Sequence, residues 1–453
     1  MKARRYRIMT AAPLAAAIAL AMAACSATPG SSNSSESAPQ SSATKIPSKD
    51  ITLTVWDQEV RGGQNAQIER LNAQFQKEYP NITIKRVAKS FTDLNTTLKL
   101  AVSDDKAPDV VQANQGYPVM GQLVKGGLLR PLDGYAGAYG WEDRYSPTLL
   151  QLNKFSADGQ TFGSGNLYGL SQVGELVGVY YNKQKLRALG LAVPQTFEEF
   201  AKALATARQQ GETPIQFGNL DKWPGIHEFQ AVQNEMATRE DLRAFVFGEG
   251  EASFATDDNE QAAATLQSWV DKGYFTSGFN GVGYDDAAAQ FSKGEGVFCI
   301  TGTWLAPDIE PPMGKDLGFF LMPPSSGGEL TTLGGEGLPF AITSKSANPE
   351  AAAAYIDFIT NPNATKVIAA TGGLPAPKTS AAKAPASGVQ ADIFKAWEEA
   401  NAEDAIVPYI DYATPTFYDT ITAQVQTLMA GKVSPQEFVD TVQQDYGSFQ
   451  ASG

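Results

Sequence analysis

Imidazole and thiol are nearly missing from this 453-residue chain, which has one histidine, His227, and two cysteines, Cys25 and Cys299. A zinc site built on several histidines is therefore excluded, and a Ser-His-Asp triad would have to run through His227. No Gly-x-Ser-x-Gly elbow and no phosphate loop ending in Gly-Lys-Ser/Thr stands out, and Gly163, Gly165 and Gly169 lack the spacing of a dinucleotide loop. No cofactor and no metal are expected. Positive charge is scarce as well: 35 basic residues face 49 acidic ones, a formal net of −14. With Lys2, Arg4, Arg5 and Arg7 at the start set aside, 31 basic residues face 49 acidic ones, a net of −18. Such a surface repels phosphate backbones and anionic head groups, so a nucleic-acid partner is not expected. Beyond the first residues no run of 18 or more apolar residues could span a bilayer.

What is present begins with a cationic start, an apolar stretch from about Met9 to Met22, and two small residues before Cys25. That is the layout of an export signal over residues 1–24. Met22-Ala23-Ala24-Cys25 resembles a bacterial lipobox, although that pattern prefers Leu where Met22 stands. The resemblance implies that Cys25 is acylated and tethers the exported protein to the outer face of the cell membrane. An ordinary secretory signal is the alternative. Residues 25–49 are mostly Ser, Ala, Pro and Thr, with too few large side chains to offset the entropy of ordering, so a flexible tether is expected there. Cys299, in Val297-Phe298-Cys299-Ile300, reads as a structural strand thiol, with Cys25 as its one conceivable disulfide partner.

The folded body opens on Ile51, Leu53 and Val55 alternating with threonines, which predicts a strand. Gly62-Gly63 then leads into Ile68, Leu71 and Phe75 at helical spacing, stopped by Tyr79-Pro80-Asn81, and Ile82, Ile84 and Val87 give the next strand. Strand, helix, strand predicts a parallel crossover. Further expectations are a helix over Leu94 to Val102, a strand over 109–112, and a short helix from Val119 to Lys125 ended by Gly126-Gly127. Thr196 with Glu199, Asn348 before Pro349, and Ser434 with Glu437 mark helix starts. Strands alternating with capped helices make the fold class α/β.

Several aromatic residues stand beside polar ones at turns: Trp56-Asp57-Gln58, Asn114-Gln115-Gly116-Tyr117, Asp221-Lys222-Trp223-Pro224, Gly302-Thr303-Trp304 and Tyr409-Ile410-Asp411-Tyr412. A sugar ring has an apolar C–H face and a girdle of hydroxyls, so its receptor needs flat aromatic platforms beside donors and acceptors. Trp141, Trp269 and Trp397 sit in compact settings and are expected to pack. The plentiful carboxylates leave a pair suited to glycoside hydrolysis as the enzymatic alternative, because the required separation is spatial.

Leu53-Thr54-Val55-Trp56-Asp57, Ala107-Pro108-Asp109-Val110-Val111, Gly127 to Asp133, and Val179 to Lys183 followed by Pro194 to Phe200 together resemble the family 1 extracellular solute-binding proteins. Phe291 to Gly296 leading to Gly302-Thr303-Trp304, and Ala341-Ile342-Thr343 before the helix from Pro349, extend that resemblance over nearly the whole chain. These are the substrate receptors of bacterial ABC sugar importers. The resemblance implies a two-lobe periplasmic-binding-protein-like fold with a hinge of crossing segments and the ligand cleft between the lobes. It implies crossings near Leu167 to Tyr181, Cys299 to Trp304 and Gly337 to Ile342. Lobe one is expected over 51–165 and 306–336, and lobe two over 166–305 and 337–453.

Carried over by position, the resemblance puts Trp56, Asp57, Gln58, Asn114, Gln115 and Tyr117 among the lobe-one ligand contacts, and Trp223, His227, Trp304, Glu336, Tyr409 and Asp411 on lobe two or the hinge. Glu336 departs from the family's glycine-rich strand entrance and is expected to accept sugar hydroxyls. The segments 218–224 and 410–415 resemble actinobacterial receptors for xylo-oligosaccharides and fucosylated lactose. The expected ligand is a neutral oligosaccharide of two to a few units, captured by a monomer without covalent chemistry and delivered to ABC permease subunits.

Overall fold

The computed structural model describes residues 44–378 and 382–451; the export segment, Cys25 and the tether up to residue 43 lie outside them. Eleven strands run in chain order among these residues. They are β1 (Ile51–Asp57), β2 (Ile82–Ala88), β3 (Val110–Gln112), β4 (Lys154–Phe155), β5 (Asn166–Leu167), β6 (Gly174–Asn182), β7 (Phe298–Gly302), β8 (Leu317–Phe320), β9 (Thr332–Glu336), β10 (Phe340–Ile342) and β11 (Ile406–Val407). One sheet has the order β10-β3-β1-β2, a second has β11-β9-β6-β7 with β8 also on β6, and β4-β5 form a small antiparallel pair.

The opening strand forms where its alternation predicts it. Ile51, Leu53, Val55 and Asp57 turn inward and are buried, while Thr52 is exposed. β1 lies parallel to β2 in the register Ile51↔Ile82 through Asp57↔Ala88, and parallel to β3 through Val55↔Val110 and Trp56↔Val111. The connecting helix Gly62–Glu78 buries Ile68, Leu71 and Phe75 and stops before Pro80. Against this sheet packs the helix Pro349–Thr360, whose buried Ala351, Ala352, Ala353 and Ala354 keep a slim face toward the core. The helix at Ser434 carries the full reciprocal capping box, and Thr196 accepts the Glu199 N–H at 3.2 Å. Trp141, Trp269 and Trp397 pack against the core as expected; Trp141 is fully buried and its Nε1 donates to Asp357 Oδ1 at 2.9 Å.

β6 organises the second sheet. Its first residues pair with β9 (Gly174↔Glu336, Glu175↔Gly335), its later ones with β8 (Tyr181↔Gly318), and β7 runs antiparallel along it (Tyr180↔Cys299). All nine residues of β6 are buried, the pattern of a strand covered on both faces. Over it lies the helix Pro224–Gln233, buried at all ten positions and so a core helix. Cys299 is a free, buried thiol, as its apolar surroundings predict.

Strand pairing cuts across the expected lobe limits. Segment 306–336 was expected with the first sheet, yet β8 and β9 hydrogen-bond to β6; residues from 337 on were expected with the second, yet β10 pairs antiparallel with β3 (Phe340↔Gln112, Ile342↔Val110). The physical reason is that a three- or four-residue apolar strand carries no mark of which sheet edge it will join. The chain does pass between the sheets at two of the expected places: Leu170 bridges to Phe340 before β6 begins, and only three residues separate Glu336 of β9 from Phe340 of β10. At the third, β7 and the helix Ala306–Met313 after it share a core with Leu176 and Tyr180 of β6.

Candidate ligand-binding cleft

Asp57 ends β1 and is fully buried, where Arg86 Nε and Nη2 donate to its two oxygens at 2.7 Å each. The same guanidinium donates to the Glu59 carbonyl at 2.6 Å, and Asp57 Oδ1 accepts the Glu59 N–H at 3.0 Å. A bidentate pair of this kind has fixed geometry, and here it sets the course of residues 58–61. Gln112, at the end of β3, completes the brace: its Oε1 accepts the Gln58 N–H at 2.7 Å and its Nε2 donates to Glu59 Oε1 at 2.6 Å. Gln58, Arg61 and Gln64 are thereby presented to a cavity, with Asn114 and Phe91 beside them.

The opposite wall comes from the buried helix Pro224–Gln233 and the segments around it. Asn219 accepts the Gly225 N–H at 3.0 Å and Asp221 accepts the Tyr284 N–H at 2.9 Å, which fixes the turn holding Trp223. Trp223 lies 4.4 Å from the Tyr284 ring, and Trp304 Nε1 donates to the Tyr284 hydroxyl at 2.6 Å. Trp304 can fold over the end of β7 because Gly302 has no Cβ; one built there would lie 1.9 Å from the indole. Gln230 clamps the remaining segment, its Nε2 donating to the Pro408 carbonyl at 2.8 Å and its Oε1 accepting the Ile410 N–H at 3.1 Å. Tyr409 and Asp411 are so placed on either side of Ile410. Gly116, at φ 75°, lets the two walls meet, since a Cβ there would lie 2.4 Å from Tyr412 Cβ.

The cavity opens to solvent, with about 640 Å³ of empty space when that open solvent is included. Of the residues expected from sequence, it gathers Gln58, Asn114, Trp223, His227, Trp304, Glu336, Tyr409 and Asp411. Four lie elsewhere. Asp57 is consumed by Arg86 and supports the loop. Trp56 points to the opposite face of β1 and sits under Lys89, whose Nζ is 4.7 Å from the ring centroid. Gln115 backs the cleft, donating to the Gly337 carbonyl at 3.1 Å and accepting from the Tyr412 hydroxyl at 3.3 Å. Tyr117 is buried, its hydroxyl donating to the Gln160 carbonyl at 3.0 Å.

Sequence reasoning missed Arg61, Gln64, Phe91, Glu175, Ile226, Leu338, Tyr412 and Tyr418 in the lining. Tyr412 and Tyr418 carried the same signal as Tyr409, an aromatic beside polar residues. Glu175 carried no such signal, since all nine residues of its strand are buried.

The electrostatics are set by burial. Desolvation pushes Glu175 up to about 8, helped by Glu59 and Glu336 nearby; it pushes Glu336 up to about 8 and Asp411 to about 7. Behind the lining, burial raises Glu59 to about 7. Burial also lowers His227 to about 3, so its imidazole is neutral, with ring centroids of Trp223, Trp304 and Tyr409 at 5.3, 5.5 and 5.8 Å. Glu336 Oε2 accepts from Asn153 Nδ2 at 2.6 Å, whereas Glu336 Oε1 and the Tyr409 hydroxyl have no hydrogen-bond partner in the protein. Among the described residues no cluster of His, Cys, Asp and Glu is arranged to hold a metal ion, and no helix is long and apolar enough to cross a membrane.

A family description, bacterial extracellular solute-binding protein, matches residues 70–401. Among characterised relatives, a multiple sugar-binding protein of Streptococcus mutans is 23% identical over 319 residues, covering 69% of this chain and 72% of its own. Among solved structures, a chitin oligosaccharide binding protein superposes with a TM-score of 0.77 at 24% identity, covering 89% of this chain and 99% of that one. The solute-binding protein RafE in complex with raffinose gives 0.70 at 19% identity, covering 88% and 99%. The mixed α/β architecture is that of these two-lobe binding proteins.

Proposed function

The chain belongs to the bacterial extracellular solute-binding proteins, and from that premise we propose that it is the sugar-capturing subunit of an ABC importer. The ligand is an oligosaccharide of two to a few units, xylo-oligosaccharide or fucosylated lactose among the types to test. The observation that carries this reading is the cavity itself, where Trp223, Trp304, Tyr409 and Tyr412 stand beside Gln58, Asn114 and Asp411. Flat apolar faces next to hydrogen-bonding groups are what a sugar ring requires. The Streptococcus relative, named for binding multiple sugars, supports the same class.

In this reading the two sheets are the cores of two lobes that hinge at 170–174 and 336–340 and close on the sugar. A ligand can drive closure only through contacts it makes better in the closed form. Capture involves no covalent step. The loaded monomer docks on membrane permease subunits, and acylated Cys25 keeps it near them through the tether. An affinity of 1 μM would correspond to about −8 kcal/mol.

The test is a thermal-shift screen of di- and trisaccharides, followed by calorimetry and chromatography of each sugar after prolonged incubation. At ligand concentrations near 100 times Kd, about 2.7 kcal/mol of stabilisation is expected, with the sugar recovered unchanged. Cleaved product would replace receptor by glycoside hydrolase, and no shift with any sugar would remove the sugar reading.

A further inference from the structure

Taking the cleft as a sugar site, as proposed above, we infer that the sugar it selects carries a protonated amine. Three acidic side chains reach the cavity from three different elements: Glu175 from β6, Glu336 from the end of β9, and Asp411 from the turn after β11. Against them stands one cation, Arg61, and it is already engaged: its Nε donates to Asp285 Oδ1 at 2.9 Å. Glu59 behind the wall adds a further acid, and His227 is held neutral by burial. The lining is thus short of positive charge.

Two atoms show where that charge belongs. Glu336 is 2% exposed and Tyr409 is 8% exposed, both line the cavity, and Glu336 Oε1 and the Tyr409 hydroxyl have no partner within the protein. Buried polar atoms of this kind are costly unless a ligand completes them. A hydroxyl could complete both, donating to the carboxyl oxygen and accepting from the phenol, but it brings no charge. An ammonium offers three N–H donors and a full charge, and Trp223, Trp304 and Tyr409, whose ring type attracts cations, line the same cavity.

Ionisation is the energetic link. The buried acids hold their protons near neutral pH because the desolvation of their charge outweighs what Arg61 offers Glu175 and what Asn153 and Ser171 offer Glu336. When the ammonium enters, a carboxyl proton leaves to solvent and an ion pair replaces it, excluded from water. Binding of an amino sugar should release protons, whereas a neutral sugar would leave the carboxyls protonated as hydroxyl donors.

The experiment uses the mature protein and three matched β-1,4 sugars: the glucosamine dimer, its N-acetylated form and cellobiose, with a panel of other neutral disaccharides alongside. Calorimetry at pH 6.5 in two buffers of different ionisation enthalpy reads affinity and proton release together. We expect the amine to bind at least ~10-fold more tightly than both matched neutral forms, with proton release. Glu175→Gln and Asp411→Asn, each checked for a normal melting curve, should erase that preference. Equal or tighter binding of a neutral sugar, or a preference that survives both substitutions, overturns the inference and leaves the sugar receptor standing. If no sugar of any kind binds, both fall.

Discussion

Two sets of buried acids, Asp57 at the end of β1 and Glu175, Glu336 and Asp411 in the cleft lining, are built on opposite plans. Asp57 has both oxygens filled by Arg86 and a backbone N–H besides. Glu175 and Glu336 in the cleft are held protonated by burial, and one Glu336 oxygen is unpartnered. A saturated carboxylate marks a brace, and an unsaturated one in a cavity marks a place for something to arrive. Burial alone separates nothing here, since Asp57 and Glu336 are equally hidden.

The sharpest way to break the contrast is to remove one half of the saturated pair. Arg86→Ala leaves Asp57 buried without its counter-charge, and such losses cost about 3–5 kcal/mol. Urea unfolding should show a drop of that size, while Asp57→Asn with Arg86→Gln together should recover much of it. In the cleft the effect should fall on binding. Trp304→Ala removes a platform held by Tyr284 and is expected to weaken sugar affinity by about 2 kcal/mol, roughly 30-fold, with little change in melting temperature without ligand. Calorimetry on the best sugar checks this, and unchanged affinity would move the site elsewhere.

The smallest effect is a pH slope. Glu175 and Glu336, pushed from about 4.5 to about 8, bind protons more tightly folded than unfolded. Their stabilising contribution is complete below about pH 4.5 and is lost as pH rises through 8. His227 works in the other direction, but only as pH falls from 6.5 toward 3. Between pH 6.5 and 8 the carboxyls act alone, so ligand-free stability should decline, and Glu175→Gln should make the decline shallower by up to about 1 kcal/mol per pH unit. A flat profile in both proteins would mean these acids ionise freely.

Much of the first sheet was legible because period-two alternation and a proline stop are local signals: Ile51, Leu53 and Val55, the helix ended before Pro80, and the next strand all formed as read. The same alternation, followed two residues further, would have placed Asp57 inward and Trp56 on the other face. Eight of twelve expected site residues meet at the cavity because aromatic residues beside polar ones at turns mark strand ends, where clefts form. Glu175 was hidden by its strand, since β6 is buried on both faces and shows no periodicity against which a carboxylate would stand out. Arg61 and Gln64 owe their positions to Arg86 and Gln112, partners more than 20 residues away, and no spacing rule reaches that far. The division of β8 and β10 between sheets was illegible for the same reason.

Cys299 pairs with Tyr180 on β7, the last strand of the second sheet, and burial keeps its sulfur as thiol. Oxidants need thiolate and access, and this atom offers neither. Among the described residues reductants therefore have no cross-link to open, and peroxides meet no reactive thiol. A receptor built this way holds its second sheet together by packing and hydrogen bonds, in aerated and anoxic habitats alike.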